Sequence, residues 1–204
     1  MMIGARFLAS LVLILWDVSG FAQTGKPAPS VAPSPPSSQQ EVQPEGSPLD
    51  RLFDRLKAAP SAEAAKPLAQ QIQRRFERSG SDTADLLLQR IKQSTEAKDY
   101  PLALDLSDFL LTLKPDWAEA YHRRAIVHFL LKDEESAMRD IRLTLAREPR
   151  HFDALAGLGA LFRGMGNKKA AYQAFKKATE IHPYYEDLQS TLDKMKPEIE
   201  GQPI

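Results

Sequence analysis

Cysteine and histidine are the residue types that most often act as nucleophiles or metal ligands, and this chain arranges neither for that chemistry. It has no cysteine, which excludes a thiol nucleophile, a thiolate metal site and a disulfide. Its histidines are His122, His128, His151 and His182. No two of these four stand four residues apart, the spacing that places two ligands on one face of a helix. The sequence therefore predicts no metal site.

A group of glycines near the end of the sequence could belong to a phosphate-binding loop. Such a loop surrounds phosphate with backbone N–H groups and continues into Lys followed by Ser or Thr. No such pair follows these glycines, and Gly157 and Gly159 fall inside a predicted helix. The acidic residues are scattered, with no apolar pocket that would shift a carboxyl pKa. We predict that the protein is not an enzyme and binds no cofactor.

The elements that would position any site repeat with a fixed period. Pro115, Pro149 and Pro183 lie 34 residues apart, a period typical of stacked helical hairpins. Each interval contains an apolar helical pattern, a polar turn and a second helical pattern. Each proline ends the second helix, because the residue before a proline is pushed out of the α region. The expected fold is all-α, an α-solenoid of stacked antiparallel hairpins.

These units resemble the tetratricopeptide repeat (TPR), a family with characteristic small and large apolar positions. The unit at 152–183 matches at Leu155, Leu158, Gly159, Phe162, Ala171, Phe175, Ala178 and Pro183. The unit at 118–151 keeps Tyr121, Ala125, Ala137, Ile141 and Pro149. The unit at 84–117 keeps Leu87, Ala103, Leu110 and Pro115. Small residues allow two helices to approach closely, and the large ones form the stripe that fills the interface.

Weaker helical patterns flank the three units. Residues 48–81 are expected to form a degenerate hairpin in the same register, with Ser61 capping its second helix. Pro67 predicts a kink or a later start of that helix, near Lys66. Residues 184–196 are expected to form one capping helix with its charges outward, followed by a tail at 197–204.

The first 22 residues have the pattern of a secretory signal peptide. Arg6 precedes an apolar run, and Gly20 and Ala22 are the small residues that signal peptidase reads, so cleavage is expected after Ala22. The protein is then periplasmic or secreted; an uncleaved membrane anchor is the alternative. Residues 23–47 are rich in Pro, Ser and Gln and are expected to form a disordered linker. This linker is interpreted as a spacer, with a ligand for a proline-binding domain as the alternative.

The resemblance also implies a binding surface. In the TPR family the first helix of each unit lines a concave groove. The partner-binding residues expected from these positions are Lys92, His122, Arg123, Ile126, Phe129 and Arg163. Phe129 is the expected apolar contact with a peptide, and Arg123 or Lys92 is the expected carboxylate partner. The alternative is that Phe129 and Ile126 pack against the next hairpin.

Two further family features can be compared residue by residue. Arg124 and Asp140 occupy positions that often pair across a hairpin, because an arginine on an apolar face needs a partner. One TPR subfamily clamps the C-terminal carboxylate of cytosolic chaperones. Only Lys92 matches that clamp, whereas Asp153 and Gly157 stand where its last Lys and Arg belong. The clamp activity is therefore not expected.

The charge balance restricts the class of partner. The chain has 27 basic and 27 acidic residues, which gives no electrostatic footprint for nucleic acid. We predict a non-catalytic scaffold or adaptor in the bacterial cell envelope that binds a peptide or extended segment of an unidentified protein. It resembles small exported TPR proteins of alpha-class Gram-negative bacteria, with no stable membrane insertion after signal cleavage. The alternatives are an accessory subunit of an envelope enzyme, and a self-associating oligomer whose groove is filled by a neighbouring copy. Met165, Phe109 and Leu110 are the candidate contacts of that oligomer on the condition that they are exposed.

Overall fold

The computed structural model describes residues 46–185 and 188–201, and within them every regular element is an α-helix. The helices are α1 (Pro48–Lys57), α2 (Ala62–Phe76), α3 (Asp82–Glu96), α4 (Tyr100–Leu113), α5 (Ala118–Leu130), α6 (Glu134–Arg147), α7 (Phe152–Gly164), α8 (Lys168–Ile181) and α9 (Leu188–Glu200). The expected all-α solenoid is confirmed. The predicted signal peptide, the predicted linker up to residue 45 and residues 202–204 lie outside the described residues. In the described part, no helix combines the length and apolar character that a bilayer crossing requires.

The pairs α3–α4, α5–α6 and α7–α8 are the three predicted repeats, and all three turn in the same way. The residue at the turn adopts a left-handed backbone: Lys98 (φ 61°), Lys132 (φ 66°) and Gly166 (φ 75°). The following residue caps the second helix by accepting a hydrogen bond from a backbone N–H three positions on: Asp99, Asp133 and Asn167. The same local chemistry therefore fixes the geometry of each hairpin.

Within a repeat, small residues bring the two helices together. A Cβ added at Gly159 would overlap the ring of Phe175, so only glycine fits where α7 crosses α8. Ala125 and Ala137 occupy a core cluster between α5 and α6 in the same manner. The close approach that the sequence predicts for these positions is confirmed.

The predicted pairing of Arg124 with Asp140 is also confirmed. The Arg124 guanidinium donates to both carboxylate oxygens of Asp140, at 2.7 and 2.8 Å, and donates to Asp108 at 2.6 Å. Asp140 is fully buried. Its hydrogen bonds raise the pKa of Arg124 further above its usual range, although burial opposes this. The bond from Arg124 to Asp108 of α4 ties the second repeat to the first.

The predicted N-terminal hairpin is present as α1 and α2, which pack together, but it does not stack on α3 in the register expected of a repeat. Phe53 and Phe76 instead share a core cluster with Phe152 at the start of α7, and α1 packs against α8. The hairpin takes this position because its aromatic side chains pack against aromatic rings at the loops between repeats. We call this element the N-terminal brace, residues 48–77, because it spans several repeats.

Two helix boundaries also differ from expectation. α2 begins at Ala62, directly after its cap Ser61, and continues through Pro67 rather than starting near Lys66. α9 begins at Leu188 and continues through Pro197 to Glu200, where we expected a helix over 184–196 and then a tail. Ahead of α9, the N–H of Tyr185 donates to the carbonyl of His182 in a turn, and the Tyr185 ring packs on Phe152.

Candidate functional site: the groove of the second and third repeats

The first helices of the second and third repeats, α5 and α7, line a cavity of about 630 Å³, which we call the groove. Its walls are Gln73 from α2, His122, Arg123, Ala125, Ile126 and Phe129 from α5, Ile141 from α6, Asp153, Ala156, Gly157, Ala160, Leu161 and Arg163 from α7, Phe175 from α8, and Tyr185, Leu188 and Thr191 at the C-terminal end. The concave positions of these two repeats therefore converge on one space.

Most of the predicted partner-binding residues lie together in this groove. Those brought together are His122, Arg123, Ile126, Phe129 and Arg163. Lys92 lies outside it, and its ammonium group is paired with the carboxylate of Glu77 at 2.6 Å. The concave positions of the first repeat thus contribute no residue to the groove.

Small side chains form the floor of the groove on α7. Ala156 and Gly157 are adjacent, Ala160 lies one turn further along α7, and each of the three is partly exposed. A Cβ at Gly157 would lie 3.3 Å from Cδ1 of Ile141, so the floor there is the side chain of α6. The small residues leave room for a large side chain from another molecule.

Phe129 and Arg163 stand at the open side of the groove. The Phe129 side chain is 42% exposed, so it presents apolar surface at the groove. The Arg163 guanidinium lies 5.7 Å above the ring of Phe175. Among the described residues Arg163 forms no ion pair, which leaves its charge available to a ligand.

The two cations that we expected to bind a carboxylate are already paired inside the protein. Arg123 donates to Glu119 at 2.5 Å and to Glu77 at 2.9 Å. Glu77 follows the last residue of α2 and also pairs with Lys92. Glu77 of the N-terminal brace is therefore an internal partner of both cations that we expected to receive a ligand carboxylate.

The N-terminal brace and the C-terminal segment wall the groove, and sequence reasoning missed both. Gln73 of α2 donates to the carboxylate of Asp153, 80 residues away, at 3.1 Å. Tyr185 and Leu188, from the C-terminal segment, also line the cavity. No local sequence pattern predicts these contacts, since they join segments that lie far apart in the chain.

A buried polar cluster beneath the groove joins α5, α7 and the brace. His151 donates from Nε2 to Glu119 at 3.0 Å, and Nδ1 of His122 lies 3.6 Å from the same carboxylate. The ring of Phe76 stacks on His151 at 4.5 Å, and the indole N–H of Trp117 donates to the Phe76 carbonyl at 2.8 Å. The cluster therefore fastens the end of α2 to the loops before α5 and α7.

Glu119, His122 and His151 also have the composition of a metal site, with their ligand atoms within 4.8 Å of one another. The local hydrogen bonds oppose that chemistry. Nδ1 of His151 accepts from the backbone N–H of Ala154 at 3.2 Å, which places the ring proton on Nε2. A metal at Nε2 would require the proton on Nδ1 and would break the cap of α7. The structure favours a hydrogen-bonded cluster.

The direction of the pKa shifts agrees with a hydrogen-bonded cluster of Glu119, His122 and His151. Burial alone would raise the pKa of Glu119, but the imidazoles of His122 and His151 and the charge of Arg123 outweigh it and hold that pKa well below its usual range. Burial lowers the pKa of His122, with the nearby His151 acting in the same direction. Glu119 is thus a carboxylate and His122 a neutral ring near neutral pH.

Comparison of the sequence with known proteins reveals two informative relatives, although no protein-family model matches it. A TPR repeat-containing protein of Rhizobium etli is 35% identical over 153 residues, which cover 75% of this chain and 75% of that protein. The small glutamine-rich tetratricopeptide repeat-containing protein 2 of Saccharomyces cerevisiae is 30% identical over 84 residues. That match covers 41% of this chain and 24% of the yeast protein.

Solved structures share the fold at lower identity. The first TPR domain of Spaghetti (RPAP3), bound to an HSP90 peptide, has a TM-score of 0.54 and 19% identity, covering 58% of this chain and 94% of that chain. The Yersinia enterocolitica type III secretion chaperone SycD, in complex with a peptide of the translocator YopD, has a TM-score of 0.54 and 13% identity. It covers 58% of this chain and 96% of that chain.

Proposed function

The chain belongs to the tetratricopeptide repeat family, and from that premise we propose that its groove binds a peptide segment of another protein. The observation that carries the proposal is the groove itself: a cavity of about 630 Å³ with small residues on its floor and an exposed Phe129 at its side. Concave cavities of this size, mostly apolar with a few polar groups, are typical binding sites. Peptides bound to the RPAP3 and SycD structures support the same kind of use.

The lining of the groove indicates the chemistry of the peptide. A large apolar side chain fits over Ala156 and Ala160 and against Phe129, because these positions leave the space open. A carboxylate next to that side chain reaches Arg163, the groove cation that no acid of the described residues neutralises. The ligand is therefore an apolar segment with an adjacent acidic residue, and the protein acts as a non-catalytic scaffold or adaptor.

Selection from a peptide library displayed on phage tests this proposal. The wild type should enrich peptides with an apolar residue beside Asp or Glu. Arg163→Glu should weaken their binding about tenfold to a hundredfold, since a charge-assisted hydrogen bond contributes about 1.5–3 kcal/mol. Ala160→Leu should also weaken it by filling the groove. Arg142→Glu, an exposed change on α6 outside the groove, is the matched control.

Arg123→Glu is a poor variant for this purpose, because Arg123 holds Glu119 and Glu77. Its loss would disturb the brace as well as the ligand. Enrichment of peptides whose binding is the same in Arg163→Glu, Ala160→Leu and wild type would contradict the groove as the binding site, and failure to enrich any sequence would contradict peptide binding.

We also propose that the protein acts in the cell envelope after export. The support is the signal-peptide pattern of residues 1–22 and a relative in a bacterium. Mass spectrometry of the protein isolated from a periplasmic fraction should find a chain that begins at Gln23. Recovery in the cytoplasm with residues 1–22 intact would contradict export, and recovery of the intact chain in the membrane would favour the anchor.

An accessory subunit of an envelope enzyme would use the same groove. Crosslinking in the envelope, followed by identification of the captured protein, separates the two roles. Capture of an enzyme by the wild type and by Arg142→Glu, with loss in Arg163→Glu, would favour the accessory subunit. Capture of a non-catalytic protein with the same dependence would favour the adaptor.

A further inference from the structure

Four large apolar side chains are exposed together on the first repeat. Leu86 of α3 is 60% exposed and Phe109 of α4 is 54% exposed, and Leu102 and Leu113 of α4 are 44% exposed each. Single exposed apolar residues are ordinary, but a contiguous patch on one surface marks an interaction site. We call this patch the end face, because it is the surface of the first repeat that points away from the second.

Equivalent positions in the other repeats show what the end face is built to contact. The third position of a repeat is Leu86 in the first, Ala120 in the second and Ala154 in the third. Ala120 and Ala154 are 0% exposed, because the preceding repeat covers them. At the thirtieth position, occupied by Leu113 in the first repeat, Arg147 of the second repeat donates to the carbonyl of Pro115 in the preceding repeat. These positions therefore face the preceding neighbour in the stack.

No described residue supplies that neighbour for the first repeat. The N-terminal brace packs on Phe152 and α8 instead. At the other end of the stack α9 covers α8, with Leu192 buried against Phe175. Within the part of the chain that the structure describes, the two ends of the repeat stack are thus unlike: one is closed and the other is an open apolar surface.

The spacing on α4 indicates what closes the end face. Leu102, Leu106, Phe109 and Leu113 follow one another at intervals of four, three and four residues, the spacing of a helix seam that packs against another helix. Leu106 lies within the stripe and is half-buried. A seam of this kind is complementary to itself when two helices run antiparallel about a two-fold axis.

We propose that the end face binds the end face of a second copy of this chain, with α4 packed antiparallel to α4 of the second copy. Leu106 then lies opposite Phe109 of the second copy, and Leu102 lies opposite Leu113. In this register Asp105 lies near Thr112 of the second copy, so no two carboxylates are opposed. The result is a two-fold dimer that leaves the groove of each copy open, because no groove residue belongs to the end face.

Other occupants fit the end face less well. A head-to-tail chain of copies would bring α9 against it, but the exposed residues of α9 from Gln189 to Glu198 are polar or charged apart from Pro197. By composition the segment at 23–47 offers two valines and no larger apolar side chain, less apolar area than a second end face supplies. A second end face supplies the missing apolar area.

Sedimentation velocity over a range of concentrations tests the dimer. The protein is purified through a C-terminal tag in the form that producing cells make, and the wild type should shift from monomer to dimer as concentration rises. Phe109→Lys and Leu86→Lys, on the two helices of the end face, should each leave a monomer over the same range. Met165→Lys changes a residue that is 57% exposed on the third repeat, and it should dimerise like the wild type.

The absence of native cysteine permits a test of the register as well. A mixture of Asp105→Cys and Thr112→Cys proteins should form a mixed disulfide dimer on mild oxidation, whereas Ser190→Cys mixed with either should not. A wild type that stays monomeric at every concentration would overturn the proposal. So would a dimer that survives Phe109→Lys and Leu86→Lys, or one that is lost in Met165→Lys.

Discussion

The two flanking elements of the repeat stack, the N-terminal brace and α9, have similar apolar helical patterns but take different positions. α9 continues the stack, with Leu188, Leu192 and Met195 packed against the last repeat. The brace leaves the stack and packs along the loops that precede α5 and α7. The difference shows that an amphipathic pattern specifies only that one face of a helix is buried. The surface against which that face packs depends on the large side chains of the helix.

The brace also changes how the repeats depend on one another. In a simple solenoid each unit contacts only its neighbours, and stability is a sum of local terms. Here Arg150 pairs with Asp50, 100 residues away, at 2.7 Å, and Gln73 bonds to Asp153. These contacts tie the N-terminal segment to the end of the second repeat and the start of the third, so unfolding of the brace should weaken the walls of the groove.

Removal of the aromatic anchor of the brace should have the largest effect. Phe76→Ala should destabilise the protein by about 3 kcal/mol or more, because the ring is buried against Phe53, His151 and Phe152. Urea unfolding followed by circular dichroism measures the loss. The rate of amide hydrogen exchange should increase more in α1 and α2 than in α4.

The matched change at the other end is Leu192→Ala, which should cost about 2–3 kcal/mol and increase exchange in α9 and α8. If Phe76→Ala and Leu192→Ala instead increased hydrogen exchange in the same helices, the brace and α9 would not be independent. That result would contradict the different positions given to these two elements.

Acidification should weaken the protein through the buried cluster and through His182. Burial lowers the pKa of His122 and of His182 below the usual value of about 6.5. As the pH falls below that value the unfolded chain takes up protons that the folded chain does not, so stability decreases. Glu119, whose folded pKa is depressed, adds stability above its ordinary pKa that is lost as the pH falls through the folded value.

Thermal unfolding at pH 7.5 and pH 5.5 measures this dependence, and the midpoint should be lower at pH 5.5. The difference should shrink in His122→Gln, whereas the exposed Arg142→Gln should preserve it. An equal difference in His122→Gln and wild type would show that the cluster does not set the pH response.

The smallest effect is expected at the open end of the stack. Leu86→Ala should change the stability of the monomer by less than about 0.5 kcal/mol, because the side chain is 60% exposed. Urea unfolding at a concentration where the protein is monomeric checks this. A loss comparable to that of Leu192→Ala would mean that Leu86 is covered in solution within one chain.

The repeats could be predicted because the residues that determine each hairpin lie within that hairpin's own sequence. The period of the prolines, the small residues Gly159 and Ala137, and the polar turn before each second helix specify the hairpins. The concave positions of the second and third repeats follow from that register, and they include most of the groove. The ion pair of Arg124 with Asp140 follows from the same register.

The position of the brace could not be predicted in this way. It depends on rings and charges that meet across 80 to 100 residues, such as Gln73 with Asp153 and Arg150 with Asp50. Residues of the brace were placed in helices correctly, but their helical pattern fits a stacked hairpin equally well. The pairing of Glu77 with Arg123 and Lys92, which occupies the expected carboxylate partners, follows from this same contact.

The most direct test of this account is a nuclear Overhauser spectrum of protein with labelled phenylalanine and histidine rings. The ring centroids of Phe76 and His151 lie 4.5 Å apart, so strong cross-peaks should join these two side chains. Cross-peaks from Phe76 to Leu86 or Phe109, without any to His151, would place the hairpin in front of the first repeat. That result would contradict both the brace and the open end face.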